Sequence, residues 1–172
     1  MKKLILLTLI SGLFGMARAQ EFSRGGFSIG PELGVPSQSV YGIGYGASAK
    51  LEIPVINKFA LSLTGGYSEF HFKSGIVNNF GGQAPSTFVP LKAGVVYGAG
   101  AGLSLEFEMG DAIETSSGFT GSNRNLLAYS FGPAFLVRIS DKQAVDIGVR
   151  YERWAKNTLT QTGIRVAYRL GW

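Results

Sequence analysis

LTQTGIRVAYRLGW, residues 159–172, closes the chain, and its alternation decides the fold. Successive side chains of an extended strand point to opposite sides. Ile164, Val166, Tyr168, Leu170 and Trp172 therefore share one face, and Gly163, Arg165, Ala167, Arg169 and Gly171 share the other. The preceding run repeats the rule, with Val145, Ile147, Val149 and Tyr151 against Asp146, Gly148, Arg150 and Glu152. Reading upstream for period two predicts eight strands: Phe27 to Val35, Tyr41 to Val55, Phe59 to Phe72, Phe88 to Tyr97, Leu103 to Gly110, Leu126 to Ile139, Ala144 to Trp154 and Leu159 to Trp172. Clusters of Gly, Pro, Asn, Asp and Ser separate them, and no helix-length apolar stripe interrupts them, so the fold class is all-β.

The character of the second face separates a barrel from a solvated sandwich. It is Gly, Ala and Ser with isolated charges: Lys50, Lys92, Arg138, Arg150, Arg165 and Arg169 against Glu32, Glu52, Glu106, Glu108, Asp146 and Glu152. Six positive groups meet six negative ones, as an interior of paired charges requires, because an unpaired buried charge is very costly. A closed eight-stranded barrel has an interior just wide enough for side chains to fill. The apolar face then meets lipid, and only a closed barrel leaves no unsatisfied sheet edge in hydrocarbon. These residues predict an eight-stranded antiparallel up-and-down transmembrane β-barrel. With the N-terminus periplasmic, Phe27, Phe59, Tyr97 and Trp172 form one aromatic girdle, and Tyr45, Tyr67, Tyr129 and Tyr151 the other. The connections around residues 56–58, 98–102 and 140–143 are then short inner turns. Those at 36–42, 73–87 and 111–125 are longer outer loops, and the loop at 155–158 departs from that trend.

The N-terminus predicts export. Lys2 and Lys3 precede an uncharged run of 13 residues, Leu4 to Met16, followed by Ala17-Arg18-Ala19. This pattern predicts a signal peptide over residues 1–19, cleaved before Gln20, and a barrel domain over residues 20–172. The run is too short for a spanning helix, which needs about 20 residues. Removing Lys2, Lys3 and Arg18 lowers the formal charge from +5 to +2, which weakens any case for nucleic-acid binding. The chain has no cysteine, so disulfide scaffolds and thiolate metal sites are excluded. No cofactor or metal is expected, and the barrel is expected to be a monomer.

The eight alternating runs, the Ala19-Gln20 junction and the closing Tyr168-Arg169-Leu170-Gly171-Trp172 resemble the small outer-membrane β-barrel proteins. These comprise the OmpX-like proteins, the OmpA membrane domain and the porin family barrels of Gram-negative bacteria. The resemblance implies an outer-membrane location with both termini periplasmic. It implies insertion by the β-barrel assembly machinery, which reads a terminal aromatic strand such as Tyr168 to Trp172. It also implies a non-enzymatic surface or structural role in envelope integrity, adhesion or host interaction. Nothing in the sequence resembles the peptidoglycan-binding domain of full-length OmpA proteins, so that function is not part of the expectation.

The same faces carry few groups capable of chemistry. Glu106 and Glu108 lie about 7 Å apart along one strand face, where an ion-pair network with the interior arginines accounts for them. Gly98 to Gly102 lacks the helix and Lys-Ser/Thr of a phosphate-binding loop and reads as a tight turn. His71 is the single histidine, with Glu69 on its face and Ser74 nearby. Such a set resembles the Ser-His-Glu arrangement of outer-membrane lipid A deacylases. Their pattern places His and Ser two apart, whereas His71 and Ser74 are three apart. Lys73, Arg124, Arg153 and Lys156 cluster at the expected outer rim, where lipopolysaccharide phosphates sit. Three functions therefore stand in order: a non-enzymatic surface barrel, a lipid A-modifying enzyme and a narrow porin. A soluble lipocalin-like carrier ranks below them, since its interior would be the apolar face.

Overall fold

A computed structural model describes residues 25–37, 41–73, 85–116, 125–155 and 159–172. Eight strands follow in order: β1 (Gly26–Pro36), β2 (Tyr41–Ile56), β3 (Phe59–Phe72), β4 (Ser86–Gly100), β5 (Leu103–Ser116), β6 (Asn125–Arg138), β7 (Gln143–Trp154) and β8 (Leu159–Gly171). Each pairs antiparallel with its sequence neighbour. The ladder between β1 and β8, from Gly26↔Gly171 to Pro36↔Gln161, closes the barrel. Following paired residues from Gly26 through Glu52, Ser62, Gly94, Glu108, Ser130, Glu152 and Gln161 returns to β1 at Pro36, ten residues further along. That stagger over eight strands corresponds to a tilt of about 40° and a bore that side chains can fill.

The turns at one end are tight. Asn57 and Lys58 join β2 to β3, whose last pair is Ile56↔Phe59. Gly100, Ala101 and Gly102 turn β4 into β5 with φ values of 101°, 52° and 79°, a left-handed path that glycine adopts without steric cost. β5 runs on to Ser116 instead of ending at Gly110. Gly110-Asp111 has the composition of a turn, but Gly110 is needed for a close approach, because a Cβ there would overlap the Leu91 carbonyl. Gly110→Val is therefore expected to cut the yield of folded barrel severalfold, read as the gel-shifted fraction before boiling.

Odd-numbered residues face outward along β1 to β7, and even-numbered ones along β8. Leu63 and Phe107 are 59% and 52% exposed, whereas inward Lys92 and Glu152 are each 1% exposed. Tyr41 breaks the parity: a bulge between Tyr41 and Gly44 turns its ring inward. The outward titratable residues of the described strands are Glu69, His71, Asp111 and Arg153, together with surface tyrosines, and all four lie toward the end where β1 stops and β2 begins. Phe59 to Glu69 spans ten residues, and Leu103 to Asp111 and Val145 to Arg153 span eight each. At about 3.3 Å per residue and a tilt of about 40°, an uncharged outer band of about 20–25 Å separates these groups from the other end. That matches the apolar band of roughly 25 Å on membrane barrels.

Candidate functional site

The interior opposite this band holds one connected network of ion pairs. Arg169 binds Glu52 at the end carrying the tight turns, and Glu52 lies 2.9 Å from the Lys50 ammonium. Lys50 also meets Glu106 at 2.6 Å and Asp146 at 3.2 Å. Arg165 links Asp146, at 3.0 Å, to Glu32, at 3.5 Å, and donates to Ser28 and Ser48. Arg150 grips Glu32 through both terminal nitrogens, at 2.8 and 2.6 Å, and reaches Glu152 at 3.3 Å. Lys92 completes the chain with Glu152 at 2.9 Å and Glu108 at 3.8 Å, while Ser62 and Thr64 donate to Glu108. Inward parity selects these side chains, and the stagger of the strands brings residues such as Glu32 and Arg150 together across the bore.

Eleven of the twelve inward charges named from sequence thus share one network. Arg138 does not: it has the inward parity, but it ends β6 and its side chain is exposed at the barrel mouth. The balance within the network is accordingly five cations to six carboxylates. Glu114 lies beyond the expected end of β5 at Gly110 and is fully buried on the inward face. Glu106 and Glu108 do not form an isolated carboxylate pair: Glu106 serves Lys50, and Glu108 serves Lys92, Ser62 and Thr64. Oxygens of Glu52, Glu106 and Asp146 lie within 4.8 Å of one another, a spacing that could hold a metal ion. Lys50 already places its ammonium among all three, so the chain supplies its own cation there.

Beyond the network, toward the outward charges, the interior changes character. Tyr41, Phe70, Phe72, Phe88, Leu126, Trp154 and Leu159, with Ala112 and Ala128, form a buried apolar cluster. Phe88 and Trp154 meet edge to face with centroids 4.7 Å apart, and Phe70 packs on Trp154 at 5.8 Å. The expected wholly polar interior is therefore incorrect at this end. The signal was present in the sequence: Phe70, Phe72, Phe88 and Trp154 all sit at inward positions.

On the exterior, Phe27, Phe59, Tyr97 and Trp172 lie toward the tight-turn end. Tyr45, Tyr67, Tyr129 and Tyr151 fall within about two residues of a common level once the stagger is followed. Beside this upper level, Tyr45 and Tyr67 donate to Glu69 at 3.0 and 3.3 Å. The His71 ring stacks on Tyr45, and its Nε2 lies 3.6 Å from Glu69. That gap is too long for a hydrogen bond, and Glu69 is already engaged by two phenols. Lys73 is exposed, and Arg153 is half-buried opposite Tyr129. Ser74, Arg124, Lys156 and the signal segment lie outside the described residues.

No protein-family model and no curated protein matches the chain. Solved structures do. The attachment invasion locus protein Ail of Yersinia pestis superposes with a TM-score of 0.58 at 16% identity, covering 87% of this chain and 99% of that one. Ail in complex with the heparin analogue sucrose octasulfate gives 0.56 at 14% identity, covering 87% and 98%. The outer-membrane protein OprG of Pseudomonas aeruginosa gives 0.52 at 10% identity, covering 88% and 95%. The shared property is the fold, that of small eight-stranded outer-membrane barrels.

Proposed function

We propose that the chain is an integral protein of the bacterial outer membrane with a plugged bore, and that its work is done at the outer surface without catalysis. The observation that carries this reading is the pairing of an uncharged apolar exterior band with a filled, ion-paired interior at the same level. A soluble protein has no use for that inversion, and a pore needs a lumen. In this reading both termini are periplasmic, and the strand ending Tyr168 to Trp172 engages the assembly machinery.

The outer surface favours an anionic glycan or lipopolysaccharide phosphate as partner. Segments 37–40, 73–85, 117–124 and 155–158 contain Lys73, Arg124 and Lys156 and not one Asp or Glu. The sulfated ligand of the Ail complex is consistent with such chemistry. Two measurements test the proposal. Folded protein is expected to migrate differently on a denaturing gel before and after boiling, and to give no steady conductance in a planar bilayer. Unchanged mobility, or a stable open channel, counts against it. For the partner, replacing Lys73, Arg124 and Lys156 by Gln together is expected to weaken retention on lipopolysaccharide or sucrose octasulfate at least tenfold. The parent binding should also fall with added salt, as exposed charge pairs are screened.

A second reading rests on Glu69 and His71 facing lipid at the outer level, where an acyl-ester hydrolase would act. The engagement of Glu69 by Tyr45 and Tyr67 argues against a working dyad. Lipid A mass spectra are accordingly expected to be the same for the parent and His71→Ala.

A further inference from the structure

The seam between β1 and β2 differs from the other seams at its outer end. Pairing between these strands stops at Gly34↔Gly44. Above that point β1 stays with β8 up to Pro36↔Gln161, while β2 crosses its bulge and stays with β3 up to Tyr41↔Phe72. The strands part at a place where Gly34, Gly44, Gly46 and Gly163 face inward without side chains, and the ends of Gln161, Phe70 and Arg150 come up against Gly34, Gly44 and Gly163.

Behind this opening lies a small cavity of about 10 Å³, bordered by those glycines, the outward Leu33 and Tyr45, and the inward Ser68, Glu32, Arg150 and Gln161, with the Phe70 ring as its upper wall under Gly44. Gln161 is 4% exposed. Its amide nitrogen donates to Glu152 at 3.1 Å, which fixes the orientation of the group, because a carboxylate accepts only from the NH₂ end. The other end, Oε1, accepts no hydrogen bond from the protein. It points at the seam: a Cβ built on Gly34 would meet Gln161 Oε1 before any other atom. A buried acceptor left unsatisfied is costly, and a void of roughly 10–15 Å³ with polar partners holds one water-sized group. The charges that border the cavity, Glu32 and Arg150, are spent on each other, so the site calls for a neutral guest.

We propose that the outer β1–β2 seam is a side port through which a neutral O–H donor enters and binds Gln161 Oε1. This site joins the buried ion-pair network to the outer membrane level. The axial route at that end is filled by Phe70, Phe88, Trp154 and Leu159, each 1% exposed or less. The inference rests on the barrel geometry and not on the surface role proposed above.

Water-edited NMR on the labelled mature chain in nanodiscs tests it. Magnetisation from water is expected to reach the Gln161 side-chain amide within a mixing time at which the Phe88 ring shows none. Equal transfer to both groups would mean entry through the mouth, and no transfer to Gln161 would mean a dry site; either overturns the port. Gly34→Ala should reduce the transfer at least tenfold, since the new methyl displaces only the free end of Gln161. If that variant does not fold, Gln161→Met read at Ser68 serves the same purpose. A signal that persists in hydroxyl-free phosphatidylcholine assigns the donor as water, and one that needs a sugar-headed lipid assigns it as a lipid hydroxyl. The gel-shift assay run alongside separates failure of the barrel itself from failure of the port.

Discussion

Replacing Arg150 by Met is expected to destabilise the folded barrel by about 3–5 kcal/mol, the usual cost of breaking a buried ion pair from one side. Arg150 holds Glu32 through two hydrogen bonds and also reaches Glu152. Glu152 keeps Lys92 and Gln161, and Glu32 keeps Arg165 and Ser48, so the loss falls mainly on the double contact with Glu32. Adding Glu32→Gln should therefore recover at least half of the loss, a coupling that a double-mutant cycle isolates. The adjacent Val149 faces outward and is 43% exposed. Val149→Arg puts a charge near the middle of the apolar band, which costs about 2–4 kcal/mol in membrane barrels. Urea unfolding in lipid vesicles measures all of these. A silent Arg150→Met would remove the argument for a network that holds the barrel together. A silent Val149→Arg would remove the argument that this band faces lipid.

The faces of the strands were legible in the sequence because a period of two survives errors of several residues at either end. Val149 and Arg150 could be assigned to opposite sides with no knowledge of where β7 begins. Partnerships were not legible. Glu106, Glu108 and Asp146 were all reasonable partners for Arg150 from parity, yet its contacts are Glu32 and Glu152. The stagger of ten residues selects them, and alternation carries no information about stagger. Arg138 shows the same limit along the barrel axis, since parity gives the side of the wall and not the depth. Asp111 hid Glu114 because an outward charge next to Gly110 has the look of a turn. At the end of the membrane band, an outward charge inside a continuing strand is what the outer boundary permits. Tyr41 was hidden differently: its position follows from a bulge, which changes the parity without changing the composition.

Trp154→Ala should be among the most damaging single changes, at about 3–5 kcal/mol for truncating a fully buried tryptophan, because the space it leaves is bounded by rings that cannot collapse into it. Trp154 is 1% exposed and packs edge to face on both Phe88 and Phe70. Each such contact adds about 0.5–1.5 kcal/mol beyond buried area. Its place in the barrel gives the variant a signature that the Arg150 and Val149 changes lack. Trp154 follows outward Arg153 directly, so the apolar cluster sits at the level where the exterior has become polar. The cluster acts there as a small apolar core beyond the lipid band, and the polar network serves within it. Loss of stability in Trp154→Ala should accordingly vary little between thin and thick bilayers, whereas the cost of Val149→Arg should follow the depth of the new charge. Conductance should stay absent in Trp154→Ala, because Lys92, Arg150 and Glu152 still fill the bore beneath. A variant that loses stability and also conducts would show that the aromatic layer alone seals the barrel, and that the ion pairs below it leave a path.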